Sequence, residues 1–223
     1  MSHYAVAVFS DDKDFDRLLA PYSESDESLF QFFPKTDEEI RERWNKFHKE
    51  NPKWTFEDFR NMNYKQRDGQ WGYWYNPNAK WDWYSLDGKD YLFERRDGCH
   101  LIKYPRKNDY LWREPDEEAR HDAEDFWNSY IEGDDLPPNP PGLYRREYYL
   151  ERFGTKEQYV KECERTVPYA FITPDGVWHA PGEVGYFGMS DENADDMNRY
   201  LEEWNRFLDS DSNPFVNLVD CHI

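Results

Sequence analysis

The sequence predicts an α+β domain, with an antiparallel or mixed sheet that includes both terminal strands and packs against several amphipathic helices. Two observations support this fold class. Short segments rich in Val and aromatic residues lie at the two ends of the chain, at residues 3–9 and 215–221. Between them lie segments that begin with helix-capping residues and repeat apolar residues at helical spacing. Strands at both ends with helices between them favour terminal strands that pair or lie side by side.

Three segments are predicted as strands because they are short and rich in Val, Ile and aromatic residues. They are His3–Phe9, Tyr169–Thr173 and Phe215–Cys221. The turn residues Pro174-Asp175-Gly176 end the second strand. Asn213-Pro214 breaks the chain just before the third.

Helices are predicted from capping residues and from apolar residues at helical spacing. Thr36 with Glu39, and Thr155 with Gln158, have the pattern of a capping box. The predicted helices are a short one at 18–22, one from Thr36, one from Thr55, one over Pro115–Ile131, one from Thr155 to about Arg165, and one over Ser190–Leu208. The last is the longest and carries an apolar stripe of Met197, Tyr200, Leu201, Trp204 and Leu208.

The middle of the chain predicts short strands joined by turns. Residues 71–84 read WGYWYNPNAKWDWY, and Asn76-Pro77-Asn78 is typical of a turn, so a hairpin or a strand-turn-strand element is expected. Asp-Gly dipeptides bound two further predicted strands, Tyr91–Arg95 and His100–Tyr104. Together these segments predict a small antiparallel sheet.

A single domain is predicted over residues 1–223. Pro137–Pro141 contains four prolines in five positions, which excludes a helix or a central strand. The surrounding segment, residues 133–142, is either the boundary of a sub-lobe or a long ordered loop.

The composition excludes several classes of protein. The chain has 47 Asp and Glu against 28 Lys and Arg, a formal charge of −19, and it has 15 Phe, 10 Trp and 17 Tyr. A core built mainly of aromatic rings is therefore expected, because each ring buries about 150–250 Å². The acidic balance argues against direct binding to nucleic acid, whose affinity comes from Lys and Arg. No stretch approaches 18 apolar residues, so no membrane partner is expected.

The cysteines and the N-terminal residues predict a reducing, cytosolic environment. Cys99, Cys163 and Cys221 are odd in number and widely spaced, which does not suggest a disulfide framework. The first nine residues lack the basic and long apolar regions of a signal peptide.

The negative charge is concentrated in the three segments Ser10–Ser28, Glu114–Asp135 and Met189–Asp211. These are either solvated faces that keep an aromatic-rich protein soluble, or a surface that imitates nucleic-acid phosphates and docks on a basic protein. Under the second interpretation, the partner-binding residues are on the first acidic helix: Asp116, Glu117, Asp122, Glu124 and Asp125.

The run Lys80, Trp81, Asp82, Trp83 and Tyr84 is the densest aromatic feature. In a strand, Trp81 and Trp83 would share one face. The two indoles then either stack on a base or nucleotide or belong to the core. His179 and His222 are candidates for polar contacts in such a ligand site.

Residues of these types also occur in two kinds of reactive site. The first is a zinc site, which could use His3, His179 and His222 with Asp220, Cys221 or Cys99. No pair of these residues has the short sequence spacing typical of zinc ligands. We therefore expect no metal site and no cofactor. The second is a catalytic site with Cys221 or Ser2 as nucleophile and His179 or His222 as base. No known catalytic sequence motif surrounds these residues. The sequence therefore leaves an enzymatic activity undecided and favours binding.

Several motifs resemble uncharacterised proteins encoded by tailed bacteriophages and prophages. They are distributed over nearly the whole chain: Ser2-His3-Tyr4, Leu19-Ala20-Pro21-Tyr22, the run Asn76–Tyr84, Thr173–His179, and the ending Val219–Ile223. Similar proteins tend to follow the KWDWY run with Gly-Gly-Arg-Trp, whereas this chain has Leu86–Asp90 there. The resemblance implies a phage accessory protein that acts in the bacterial host cytoplasm.

Two functions are therefore expected from the sequence. The first is a phage protein that binds and inhibits a host antiviral-defence protein with a basic surface, such as a CRISPR effector or a restriction enzyme, through nucleic-acid-mimicking acidic helices. The alternative is a small-molecule or nucleotide-binding pocket protein, sequestering or hydrolytic, that uses the aromatic run and the histidines. The sequence does not predict the oligomeric state.

Overall fold

The computed structural model describes residues 3–89, 92–96, 98, 103–112, 116–133, 144–164, 167–183, 192 and 194–223. Several predictions concern residues outside these ranges. They are most of the strand at His100–Tyr104, the proline-rich segment with the division proposed near it, Cys99 and Ser2.

The helices and strands follow one another along the chain without a repeating unit. The strands are β1 (His3–Ser10), β2 (Gln31–Lys35), β3 (Lys65–Arg67), β4 (Gln70–Tyr75), β5 (Trp83–Ser85), β6 (Ala170–Ile172), β7 (Trp178–His179) and β8 (Phe215–His222). The α-helices are α1 (Phe15–Leu19), α2 (Asp37–Glu50), α3 (Phe56–Asn63), α4 (Glu117–Phe126), α5 (Arg146–Phe153), α6 (Lys156–Cys163) and α7 (Ala194–Leu208). Within the described ranges, no helix has the length and apolar character needed to cross a membrane.

The chain forms two compact units. The larger unit comprises Met1–Leu18 and Tyr84–Ile223, and the smaller unit comprises Leu19–Trp83. Charge differs sharply between them: the larger unit has 35 acidic and 18 basic residues, whereas the smaller has 12 and 10. Almost all of the negative excess therefore belongs to the larger unit.

The larger unit contains a mixed sheet with the strand order β5-β8-β1-β6-β7. β1 pairs antiparallel with β8 along its whole length, from His3 opposite His222 to Ser10 opposite Phe215. Its other edge pairs parallel with β6. The α+β class and the inclusion of both terminal strands in one mixed sheet are thus confirmed.

The core on one face of this sheet consists mainly of aromatic rings. Phe9 on β1 and Phe171 on β6 lie against Trp204 of α7, with ring centroids 6.0 and 5.2 Å away. The predicted α7 stripe is confirmed, because Tyr200 and Trp204 are buried in this cluster and Met197, Leu201 and Leu208 pack against it.

A second aromatic cluster joins the helices α4, α5 and α6. Its buried members are Trp127, Tyr130 and Tyr149. The first two lie on a π-helical continuation of α4, Trp127–Glu132. The predicted acidic helix is therefore present, and aromatic residues lie on its inner side.

The smaller unit consists of α2 and α3 and an antiparallel sheet with the order β2-β4-β3. The predicted capping box at Thr36 with Glu39 is present, and the helix predicted from Thr55 begins with a second box, Thr55 with Asp58. Its core contains Ile40, Phe59 and Tyr64, and the rings of Trp44, Phe47, Phe56, Trp71 and Tyr73 pack against it.

For the middle of the chain, the structure decides between two alternatives and corrects one prediction. The run at residues 71–84 is a strand-turn-strand element and not a hairpin, because β4 pairs with β2 and β3 and β5 belongs to the other sheet. The predicted strand Tyr91–Arg95 is not a strand over its described residues, since Arg95 forms only a single bridge, to Tyr110.

Lys107 fixes the end of α7 to the turn before β8. Its side chain is only 1% exposed. The Nζ atom donates to the carbonyl oxygens of Phe207, Leu208 and Ser210 at 3.1, 3.0 and 2.8 Å. These include carbonyls that the last turn of an α-helix leaves without intrahelical partners. Burial lowers the pKa of the Lys107 ammonium, and the nearby Asp209 and Asp211 oppose this shift.

We expect Lys107→Met to destabilise the protein by about 3 kcal/mol, because the substitution leaves buried carbonyl oxygens without a donor. Urea unfolding at neutral pH measures this change. Lys103→Met is the control, since Lys103 is exposed, and it should change the free energy of unfolding by less than about 0.5 kcal/mol. Equal effects of the two substitutions would contradict the anchoring role.

The capping box of α2 predicts a pH-dependent contribution to stability. The Thr36 backbone N–H and the Lys35 ammonium lower the pKa of Glu39 from 4.5 to about 2. A carboxyl group whose pKa is lower in the folded state stabilises the protein above its unfolded pKa, and this contribution is lost as the pH falls through the folded value. The stability difference between wild type and Glu39→Gln should therefore shrink between pH 5 and pH 2, as measured by urea unfolding. Glu38→Gln, outside the box, should show no comparable narrowing.

Candidate functional site

The start of α4 uses two of the predicted partner-binding acids for local structure. Asp116 is the N-cap residue, and its carboxylate accepts a hydrogen bond from the Ala119 backbone N–H at 2.9 Å. Glu117 forms an ion pair with Arg120 one turn later, at 2.5 Å. Both carboxylates therefore stabilise the helix N-terminus, where negative charge is favourable.

The solvent side of α4 presents a row of three exposed carboxylates: Glu118, Asp122 and Asp125. They are spaced by i+4 and i+3, so they lie on one side of the helix, about 6 and 4.5 Å apart along its axis. Asp125 is 3.8 Å from His121 on the same helix. Glu124 is only half-exposed and lies toward the flank. Two of the predicted partner-binding acids, Asp122 and Asp125, thus lie on the same side of α4. Glu118, which was not among the predicted acids, lies beside them.

The aromatic run does not form a pair of stacked indoles. Trp81 is 9% exposed, and its Nε1–H donates to the Leu19 carbonyl oxygen at 3.2 Å. Trp83 is 51% exposed. The strand begins only at Trp83, so the expectation that both indoles share one strand face is wrong. Trp81 belongs to the core of the smaller unit.

The remaining members of the run have different environments. The backbone N–H of Lys80 donates to the Tyr22 carbonyl oxygen at 2.8 Å, and Asp82 is exposed. The Tyr84 hydroxyl donates to the Asp16 carboxylate in the larger unit. Burial and this carboxylate raise the pKa of Tyr84.

Asn76 attaches the turn before this run to the segment that follows α1. It is 3% exposed, and its Nδ2 donates to the carbonyl oxygens of Pro21 and Ser23, both at 2.9 Å. Its Oδ1 accepts from the Asn78 backbone N–H at 3.0 Å. One amide side chain therefore holds two chain segments of the smaller unit together.

His179 has a defined orientation at the edge of the mixed sheet. Its ring stacks on the Phe171 ring with centroids 4.4 Å apart and planes 6° apart. Its Nδ1 atom lies 2.9 Å from Oε2 of Glu203 on α7. A carboxylate on one ring nitrogen sets the tautomer and directs the other nitrogen outward. This geometry suits a proton acceptor, but among the described residues no hydroxyl or thiol hydrogen-bonds to His179.

His222 lies in a polar cluster at the end of the β1–β8 pair. Its ring contacts that of His3, the cross-strand partner, at a centroid distance of 5.1 Å. His3 Nδ1 is 3.0 Å from Asp220 Oδ2, and Lys89 Nζ is 3.3 Å from Asp220 Oδ1. The Asp220 carboxylate thus contacts two basic side chains.

The two candidate histidines do not share a site. β8 and β7 are separated by β1 and β6 in the sheet, so His222 and His179 are roughly 14 Å apart across the strands. Cys221 is fully buried, and its burial raises the pKa of the thiol, which opposes formation of a nucleophilic thiolate. Among the described residues, no group of three or more His, Cys, Asp and Glu side chains has a geometry that could hold a metal ion.

The comparisons with known proteins found no family model, no curated protein and no solved structure that matches this chain.

Sequence reasoning missed the partners that give the site residues their environment. Glu203 is 24 positions from His179, and Asp220 is 217 positions from His3. No local pattern indicates such pairs, because they depend on how strands and helices pack. Glu118 could have been found from the cap: if Asp116 is the N-cap residue, helical spacing places Glu118, Asp122 and Asp125 on one side.

We expect Asn76→Ala to destabilise the smaller unit by about 2–3 kcal/mol, because the Pro21 and Ser23 carbonyl oxygens lose their donor in a buried position. Thermal and urea unfolding measure this change. Asn78→Ala is the matched control, since Asn78 is exposed and takes part through its backbone. A stability loss at Asn78 as large as that at Asn76 would contradict the proposed role of the Asn76 side chain.

Proposed function

We propose that this chain is a binding protein whose helix α4 docks on a basic surface that otherwise binds nucleic acid. The expected partner is a host antiviral-defence protein in the bacterial cytoplasm, such as a CRISPR effector or a restriction enzyme, and the expected consequence is its inhibition. The observation that carries the proposal is the exposed carboxylate row of Glu118, Asp122 and Asp125 on one side of a rigid helix. The phage-like motifs support the choice of partner.

Among the described residues, no Lys or Arg from outside α4 forms an ion pair with this row. Residues 116–133 contain seven acids and one Lys or Arg residue, Arg120. The ion pairs of Arg120 and His121 are both made within the helix, to Glu117 and Asp125. An uncompensated field of one sign steers a partner of opposite charge and raises the association rate.

The row is also held in a fixed position. α4 is capped by Asp116 at its start, and Ala123 and Trp127 are buried on its inner side. Carboxylates on such a helix keep their spacing without the partner having to order them, which lowers the entropic cost of binding. The carboxylates are about 4.5–6 Å apart along the helix axis. Phosphates along one strand of DNA are about 3.4 Å apart along the axis of the double helix, which is of the same order.

The alternative function, a nucleotide pocket built from the aromatic run and the histidines, receives less support. Trp81 is a core residue with its indole N–H bound to Leu19. His179 and His222 lie on strands separated by two others. These residues do not converge on one ligand.

The test is phage plating on bacteria that carry a restriction or CRISPR system and express the full chain. Wild-type protein should restore plating. For the triple variant Glu118→Gln, Asp122→Asn, Asp125→Asn, the restored plating efficiency should be at least roughly tenfold lower than for wild type. Removing charges from a steering surface slows association. Purified effector should bind wild type in competition with its DNA, and rising salt should weaken the complex.

A matched control removes the same charge elsewhere. Glu38, Glu42 and Glu50 are exposed acids of α2 in the smaller unit, and their substitution by Gln should leave plating unchanged. If the α4 triple variant protects phage as well as wild type, α4 is not the interface. If wild type restores plating in none of the defence backgrounds, the inhibitory function itself is rejected.

A further inference from the structure

A cavity of about 430 Å³ lies in the larger unit, beside the turn Lys107–Asp109 and the end of α7. Its size falls within the range of small-ligand sites, about 300–1,000 Å³. Apolar and aromatic side chains share its lining with a few polar groups: Tyr110, Trp112, Leu111, Leu208, Arg96 and Asn108. None of these residues belongs to the candidate sites described above.

The aromatic side of the cavity is rigid. Tyr110 and Trp112 are 1% and 7% exposed, and their ring centroids are 4.7 Å apart. Trp112 Nε1–H donates to the Lys107 carbonyl oxygen at 2.6 Å. Rings held in this way present a preformed apolar surface, so a ligand does not have to order them.

Arg96 is the polar group at the rim. Its Nε–H donates to the Asn108 carbonyl oxygen at 3.0 Å, and its backbone N–H donates to the Asp109 carbonyl oxygen at 2.9 Å. These contacts orient the guanidinium and leave its two terminal nitrogens for other acceptors. In the part of the chain that the structure describes, no carboxylate pairs with Arg96. The Asp109 carboxylate instead accepts from the Arg106 backbone N–H at 2.7 Å.

Two buried basic side chains lie in this region. Arg95 is 6% exposed, and its guanidinium lies 5.2 Å from the centre of the Tyr110 ring. Lys107 also lines the cavity, with its ammonium held by backbone carbonyls. Asp209 and Asp211 offset part of this charge.

We propose that this cavity binds a small organic oxyanion with a flat or apolar body. The carboxylate or phosphate group would accept two hydrogen bonds from the Arg96 terminal nitrogens, in the forked geometry that guanidinium favours. The body of the ligand would lie mainly against the half-buried Leu111 and Leu208, because Tyr110 and Trp112 are almost fully buried. This site is independent of the proposed docking of α4.

Calorimetry on the full chain tests the proposal with three anions and their uncharged counterparts: phenyl phosphate with phenol, benzoate with benzamide, and AMP with adenosine. At least one anion should bind roughly tenfold or more tightly than its counterpart, a difference of about 1.4 kcal/mol. Phenyl phosphate against benzoate shows whether a phosphate or a carboxylate is preferred. Arg96→Gln should remove the preference for the anion.

Arg199→Gln is the control, because Arg199 is an exposed α7 residue that pairs with Asp196 at 2.9 Å. It should bind the anion like wild type. Thermal unfolding without ligand checks that each variant is folded. If Arg96→Gln is unfolded, Arg96→Lys takes its place, because lysine keeps the charge but lacks the two forked nitrogens of the guanidinium. The proposal is overturned if no anion binds wild type, if the neutral compounds bind as tightly, or if the Arg96 variant keeps the preference.

Discussion

The larger unit depends on the pairing of β1 along both of its edges. β8 from the far end of the chain covers one edge over all eight residues, and β6 covers the other in parallel. Because a parallel partner requires a crossover connection, the chain of about 160 residues between β1 and β6 forms that connection. Residues 6–10 are consequently fully buried. The same pairing brings His3 beside His222 and Asp220, and it places Phe9 beneath Trp112 and Trp204.

Aromatic rings make up much of the interior, and this changes how aromatic motifs should be interpreted. The three clusters around Trp204, Phe59 and Tyr149 are built mainly from edge-to-face or tilted ring contacts. Phe171 with Phe207 and Tyr149 with Phe153 are stacked pairs. Tyr and Trp also carry polar atoms, which must be satisfied when buried. Tyr200 donates to the Pro168 carbonyl oxygen at 2.5 Å, and Trp81 donates to Leu19. A dense aromatic run in such a protein is therefore first a source of core residues, even when the same run resembles a family motif.

Features that depend on adjacent residues could be predicted from the sequence, and features that depend on strand neighbours could not. The capping boxes at Thr36 and Thr55 and the stripe on α7 follow from local spacing, and all are present. The pairing of His179 with Glu203 requires that β7 lie at the sheet edge beneath α7, which no local pattern specifies. The separation of Trp81 from Trp83 arises because a backbone bridge to Ser23 holds Trp81 before the strand begins. The Arg96 cavity likewise joins residues 96, 107–112 and 208, which are brought together only by the fold.

Net charge determines long-range attraction but not which small ligands a site can bind. At physiological ionic strength the Debye length is about 8 Å, so charges beyond that distance contribute little at a given site. The excess of acids in the larger unit disfavours a polyanion, which would have to approach many of them at once. A single carboxylate or phosphate at Arg96 is affected mainly by the oriented guanidinium itself and by nearby Lys107, whose charge Asp209 and Asp211 offset in part. An acidic surface for a basic partner and a cationic cavity for a small anion are therefore compatible within one unit, because each is governed by charges within a few ångströms.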